Sequence, residues 1–316
     1  MKSLMLRGLL ASFCLSCGWF GSRLVGVSGG YWGWTALLMN LFAAASLFVW
    51  LFFKDPWTLS DTFKVFRRNW VFWVITGSVA TALLEFPLSY AMVHAPAWVV
   101  TATFELTILV TPLITFPMFG RRIPMRGVVY SLLIVLGVFL IQWEQSTSVT
   151  ITDLLAGIVP PLFAAIAYSV GDQLQYEIQR RGAKIFKRFK IPFIADLVIE
   201  RPSAIVFLVL LGGLPLQAVF VALTASGLPP GSQLLTTLIV GIISIGIGQT
   251  IFIGARQKAV GVQIVGVDAT VAGDVVCTAA LEILLIHAQW PQLAGLVGIA
   301  CIVIGIVLYS LYKEAD

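Results

Sequence analysis

Residues Ala97–Phe119 read AWVVTATFELTILVTPLITFPMF, a run in which Glu105 is the one charged side chain. Crossing about 30 Å of hydrocarbon takes roughly 20 helical residues at about 1.5 Å each, so this run is long enough to span a bilayer. It is continuous, not a ten-residue alternation, so a helix is expected and a barrel strand is not. Glu105 falls about 12 Å inside it, at roughly 1.5 Å per residue. A carboxyl group at that depth is costly unless it is neutralised, paired or hydrated.

The rest of the chain repeats this pattern. Of 316 residues, 59% are hydrophobic and 11% charged, and the mean hydropathy is +0.96. Soluble domains carry about 25% charge. The composition excludes a cytosolic enzyme, a secreted domain and a nucleic-acid binder. Ten apolar runs are expected, near Gly8–Val27, Tyr31–Phe53, Trp70–Val93, Ala97–Phe119, Gly127–Trp143, Leu154–Gln175, Ser203–Ala225, Leu234–Ala255, Val262–Ile286 and Leu293–Tyr312. A start of the seventh near Ile191 would place Asp196 and Glu200 in the membrane.

The basic residues test the count. With an inside N-terminus and ten spans, nineteen of the twenty Lys and Arg fall on one side, and Arg23 alone falls on the other. By the positive-inside rule both ends are then cytoplasmic. Most tryptophans read as interfacial belt residues. Lys2, Arg7 and the run after them resemble a signal peptide, but the runs that follow favour a first transmembrane helix. Cys14, Cys17, Cys277 and Cys301 read as packing residues, so neither a metal nor a cofactor is expected.

Ten spans divide into two halves of five, 1–150 and 151–316, and the odd number makes the halves oppositely oriented. Gly77 and Ala95 match Gly241 and Ala259 at one offset, and Gly127 and Gly137 match Gly295 and Gly305 at a slightly larger one. The expected fold is therefore an all-α integral membrane protein of two inverted five-helix repeats, with a site near the midplane.

Charges inside the spans mark that site. Glu105, Asp268, Asp274 and Glu85 are the candidate substrate or proton pathway residues. Glu282 and Asp172 read as solvated helix ends. Arg23 is a candidate partner of Glu85, an outer gate, or a contact for an anionic group, against simple snorkelling. His94 and His287 read as surface residues.

Three blocks resemble a known family. They are Ser28-Gly-Gly-Tyr-Trp-Gly-Trp-Thr-Ala36, Ala95-Pro-Ala-Trp-Val-Val-Thr-Ala-Thr-Phe-Glu105 and Val267-Asp-Ala-Thr-Val-Ala-Gly-Asp274. They resemble the bacterial multidrug-resistance efflux transporter family of the drug/metabolite transporter superfamily, close to its EamA-like members. The resemblance implies a ten-helix, inverted-repeat secondary transporter of the inner membrane. The chain departs from that pattern with Glu105 in place of a glutamine, Met39 in place of a common basic residue and Val271 in place of a glutamine. The loss of a cation at Met39 and the gain of Glu105 make the inferred cavity more anionic.

The leading expectation is an exporter of small cationic or amphipathic compounds, with protons as the candidate coupling ion. Phe104, Trp98, Tyr90 and Trp34 would supply apolar and cation–π surface. Weighed against it are an exporter or exchanger of amino acids or phosphorylated compounds, fed by the basic residues between Arg180 and Arg201, and a membrane scaffold that transports nothing. No intramembrane protease or hydrolase motif is present, so no enzyme is expected. The expected partners are a small-molecule substrate and the lipid bilayer; a monomer suffices and a homodimer is allowed.

Overall fold

The computed structural model describes residues 2–119, 125–146, 149–178, 181–194, 196–259, 267 and 270–311. It is helical apart from a two-stranded hairpin, Lys184–Ile185 paired antiparallel with Phe189–Lys190. The helices are α1 (Lys2–Val27), α2 (Trp32–Lys54), α3 (Pro56–Arg68), α4 (Trp70–Gly77), α5 (Leu83–His94), α6 (Ala97–Phe104), α7 (Thr107–Phe119), α8 (Met125–Ser146), α9 (Ile151–Glu177), α10 (Pro202–Thr224), α11 (Gly231–Gly241), α12 (Thr250–Lys258), α13 (Gly273–Ile286) and α14 (Leu293–Leu311). A π-helical segment, Ser78–Ala82, joins α4 to α5, and a second, Ile242–Gln249, joins α11 to α12.

Among the described residues, seven helical stretches are long and apolar enough to cross a membrane. They are Ser3–Val27, Trp32–Lys54, Trp70–His94, Ala97–Phe119, Ile151–Glu177, Pro202–Thr224 and Gly231–Lys258. Leu132–Ser146 and Leu293–Gly305 are apolar but shorter. Of the expected ninth run, residues 262–266 and 268–269 lie outside the described residues; further along it are a 3-10 turn, Thr270–Ala272, and α13.

The polar ends of the runs have local causes. The connection between the second and third expected runs contains a helix, α3. Asp55 caps it by accepting the Thr58 amide at 3.1 Å and the Thr58 hydroxyl at 2.6 Å, and Pro56 occupies the first turn, where no amide partner is needed. Arg201 ties the same Asp55 carboxylate to the start of α10 at 3.1 Å. The seventh run begins at Pro202, so Asp196 and Glu200 stand outside it. Asp196 caps a 3-10 turn, Leu197–Glu200, and Glu200 is exposed.

Contacts between helices follow a regular exchange. α1 packs on the second π segment and on α13, while α9 packs on α5 and on α6 and α7. α2 packs on α11 and the second π segment, while α10 packs on α4 and the first π segment. α2 lies against α10, α6 against α13, and α8 against α14. Two glycines illustrate how close these approaches are. A Cβ on Gly77 would stand 2.4 Å from the Val209 carbonyl oxygen, and one on Gly241 would stand 2.6 Å from the Met39 carbonyl oxygen. Glycine there lets two backbones touch, the small-residue packing that replaces the hydrophobic drive inside a membrane.

Candidate functional site

Three of the membrane-crossing stretches are interrupted at the level where their polar residues lie, and those residues converge with Asp274 of α13 on one cavity. In Trp70–His94 the π segment ends just before Glu85. Pro87 has no N–H to offer the Leu83 carbonyl, which loosens the helix at that level. In Ala97–Phe119 the α-helix stops at Phe104, and Glu105 and Leu106 form a turn. The Leu106 amide bonds the Thr103 carbonyl and the Ile108 amide bonds the Glu105 carbonyl, the tighter i to i+3 pattern. Thr101 and Thr103 bond back to the Ala97 and Val99 carbonyls, which competes with regular helix just ahead of the turn. In Gly231–Lys258 the π segment carries Ser244, Gly246 and Gly248. On the far side of the bundle, α13 starts at Gly273 and carries Asp274 in its first turn.

These breaks surround a cavity of about 340 Å³. Glu85, Glu105 and Asp274 all line it, and each is buried. Asp274 is held firmly. Its carboxylate accepts the Ser12 hydroxyl at 2.5 Å and the Trp19 indole N–H at 3.2 Å, and Ser16 donates to its backbone carbonyl at 3.3 Å. Among the described residues, no hydrogen bond or ion pair engages the carboxyl group of Glu85 or Glu105. A contiguous set of rings adjoins them. Trp19 and Phe104 have centroids 5.8 Å apart, and Phe104 and Tyr168 5.5 Å apart. All three face the cavity, as do Met39 and Asn40.

One end of the cavity is crossed by an ion pair. Arg256 of α12 donates to Asp172 of α9 at 2.9 Å, and both residues belong to the lining. At the other end of α1 and α13, Glu282 is 1% exposed. It accepts the Ala97 and Trp98 amides, at 3.0 and 3.1 Å, so it fills the N-terminus of α6. Arg23 stands 3.8 Å from the same carboxylate and donates to the Met92 and Val93 carbonyls at 2.8 and 3.0 Å.

The sequence expectations fare unevenly against this geometry. Glu85, Glu105, Asp274 and Phe104 come together on one cavity; Asp268 lies outside the described residues. Arg23 does not line the cavity, and its carboxylate partner is Glu282 instead of Glu85. Glu282 and Asp172 are not solvated ends: the first caps a buried helix and the second is ion-paired. The other three expected lining aromatics are a correction. Trp98 packs with Val99, Ala102 and Ile134. Tyr90 packs on Trp32 and His94 at 5.5 and 4.7 Å. Trp34 donates its indole N–H to the Gly227 carbonyl at 2.8 Å. All three stand near helix ends, beyond the depth of the cavity. Trp19 and Tyr168 take the places expected for them. Their signal was in the sequence, as aromatics lying mid-span where an interfacial belt residue would not be. Among the described residues no three His, Cys, Asp or Glu side chains are grouped to hold a metal ion.

The chain's relatives can now be set beside this geometry. It is 24% identical over 331 residues to "Uncharacterized protein YjlA" of Bacillus subtilis (strain 168), covering 99% of this chain and 96% of that protein. It is 34% identical over 201 residues to "Uncharacterized 42.1 kDa protein in intracellular alkaline protease 3'region" of Shouchella clausii, covering 58% of this chain and 50% of that protein. A solved structure described as "Crystal structure of protein" superposes with a TM-score of 0.65 at 18% identity, over 100% of this chain and 99% of that one, and so shares its fold. The family model "EmrE: Putative multidrug resistance efflux transporter" matches residues 1–315. The chain is a multi-pass membrane protein and belongs to this EmrE-type multidrug resistance efflux transporter family, within the drug/metabolite transporter superfamily.

Proposed function

We propose that the protein is a secondary active exporter of small cationic or amphipathic compounds, coupled to protons through its cavity carboxyl groups. The observation that carries this reading is the convergence of Glu85, Glu105 and Asp274 on one cavity beside Trp19, Phe104 and Tyr168. The one Lys or Arg among the described lining residues, Arg256, is engaged by Asp172. A ligand entering this space meets acceptors and ring faces, which suit an organic cation. Protonation of a carboxyl group would remove that attraction. Competition between proton and substrate for the same group then links their opposite fluxes.

The architecture we propose for alternating access is ten helices in two inverted repeats, 1–150 and 151–316. The packing exchange supports it. Numbering the expected runs one to ten, the pairs one–eight, one–nine and two–eight become six–three, six–four and seven–three when each run is replaced by its counterpart five places on, and all of these pairs touch. Pairs two–seven, four–nine and five–ten touch as well. The π segments fall in counterpart runs three and eight, directly after the matched glycines Gly77 and Gly241. The distribution of Lys and Arg favours an inner-membrane protein with both termini cytoplasmic, and puts the Asp172–Arg256 end of the cavity inside.

The test is flux in proteoliposomes with an imposed pH gradient and a panel of organic cations, amino acids and phosphorylated metabolites. Gradient-driven cation transport that loses its pH dependence in Glu105→Gln, in a protein that still folds, is the expected result. Transport with the same pH dependence in that variant would remove Glu105 from coupling. Absence of flux for the whole panel would favour a scaffold.

A further inference from the structure

A second concavity, of about 740 Å³, lies between the helix ends of α1, α10 and α12. Its walls come from the first turns of α1 (Arg7 and Leu10), from Glu200 and Pro202 where the 3-10 turn meets α10, and from α12, which contributes Ile251 and Lys258 together with the polar Thr250 and Gln257. Arg7, Glu200 and Lys258 are exposed, and among the described residues none of the three is ion-paired. Two cations and one carboxylate thus face one groove without neutralising one another. Leu10, Pro202 and Ile251 make the apolar part of the wall between them, and the adjoining face of α1 exposes Leu6, Leu9 and Leu10. None of these residues lines the central cavity.

We propose that this groove binds an aminophospholipid, with the phosphate on Arg7 and Lys258 and the primary ammonium on Glu200. Three features select that ligand. Basic pockets between membrane helices at the headgroup level recruit lipid phosphate. The carboxylate penalises a purely anionic headgroup and rewards one that also carries a hydrogen-bonding cation. The apolar part of the wall, Leu10, Pro202 and Ile251, adjoins the exposed leucines and accepts the first methylenes of an acyl chain, which a soluble phosphate ester lacks. The site is separate from the transport cavity, and its fate does not depend on the substrate reading.

The test is native mass spectrometry of the intact protein, extracted from vesicles with equal parts phosphatidylethanolamine, phosphatidylcholine and phosphatidylglycerol. Wild type should retain phosphatidylethanolamine above the other two. Arg7→Gln and Lys258→Gln should each lower its retention by about fivefold, the equivalent of one headgroup-level cation. Glu200→Gln should abolish the preference over phosphatidylcholine and raise phosphatidylglycerol, while total bound lipid persists. Displacement by soluble phosphoethanolamine alone, a preference for phosphatidylglycerol in wild type, or lipid ratios that ignore Glu200→Gln would each overturn the proposal. All three side chains are exposed, so the variants should fold, and a size-exclusion profile checks that.

Discussion

The Glu282 carboxylate accepts the Trp98 amide at 3.1 Å across a sequence separation of 184 residues. The same carboxylate holds the Ala97 amide at 3.0 Å and stands 3.8 Å from Arg23. One buried side chain therefore joins α1, α6 and α13. It satisfies amides that the start of α6 would otherwise bury without partners.

Glu282→Ala is accordingly expected to be the most destabilising single carboxyl substitution among Glu85, Glu105, Asp274 and Glu282. Removing one member of a buried, hydrogen-bonded charge pair costs about 3–5 kcal/mol. Glu282→Gln keeps one acceptor and should lose less. Thermal midpoints of the purified variants check the order. A midpoint for Glu282→Ala equal to that of Glu105→Ala would show that the cap carries no special weight.

Asp172 and Arg256 make a different kind of contact. Their ion pair joins α9 to α12 at the edge of the cavity and is only partly buried. A pair at that exposure is worth about 1 kcal/mol, a factor of roughly five in an equilibrium. Arg256→Gln and Asp172→Asn should therefore shift the balance between access states and change transport rate by about that factor, with little loss of stability. The exchanged pair, Asp172→Arg with Arg256→Asp, should recover part of the change. Single variants with wild-type rates at every substrate concentration would show the pair to be idle.

How much of this could be read from the sequence follows from the physics of each signal. The membrane class and most spans were legible because hydrocarbon demands long unbroken apolar runs. Glu85, Glu105 and Asp274 stood out because charge at membrane depth is expensive. Depth is nearly one-dimensional, and sequence records it. Direction around the helix is not recorded so well. Two π segments alter the helical phase within their stretches, so the 3.6-residue wheel fails where the polar residues lie. Glu282 looked terminal by depth. Only the packing of α13 on α6 shows that the position is interior. Residue type alone points to Trp34, Tyr90 and Trp98, whereas Trp19 and Tyr168 line the cavity by virtue of depth.

Gly241 offers a test of packing that leaves charge alone. A Cβ there would stand 2.6 Å from the Met39 carbonyl oxygen and 2.9 Å from its Cα, both backbone atoms that cannot rotate away. Gly241→Val should force α2 and the α11 side apart and cost about 1–3 kcal/mol, the usual range for overpacking. Gly77→Val meets the Val209 carbonyl in the same way and should behave alike. Unchanged thermal midpoints for both would mean the helices separate freely, and the close approach would lose its structural role.

Asp55 lies between α2 and α3, and its carboxyl group is held below the usual carboxylate range. The Thr58 hydroxyl and amide are the main causes, and Arg201 adds a smaller attraction. A depressed folded-state value means that folding favours the ionised form. The stabilisation is therefore complete above the unfolded carboxylate's value of about 3.9 and is lost as pH falls through the lower folded value. Asp55→Asn keeps one acceptor for the Thr58 amide but cannot gain this charge-linked part. Wild type should thus exceed Asp55→Asn in thermal midpoint at pH 7, and the gap should close in acid below about pH 4. A gap that persists unchanged in acid would assign the effect to side-chain shape. A gap that widens in acid would contradict the sign of the linkage.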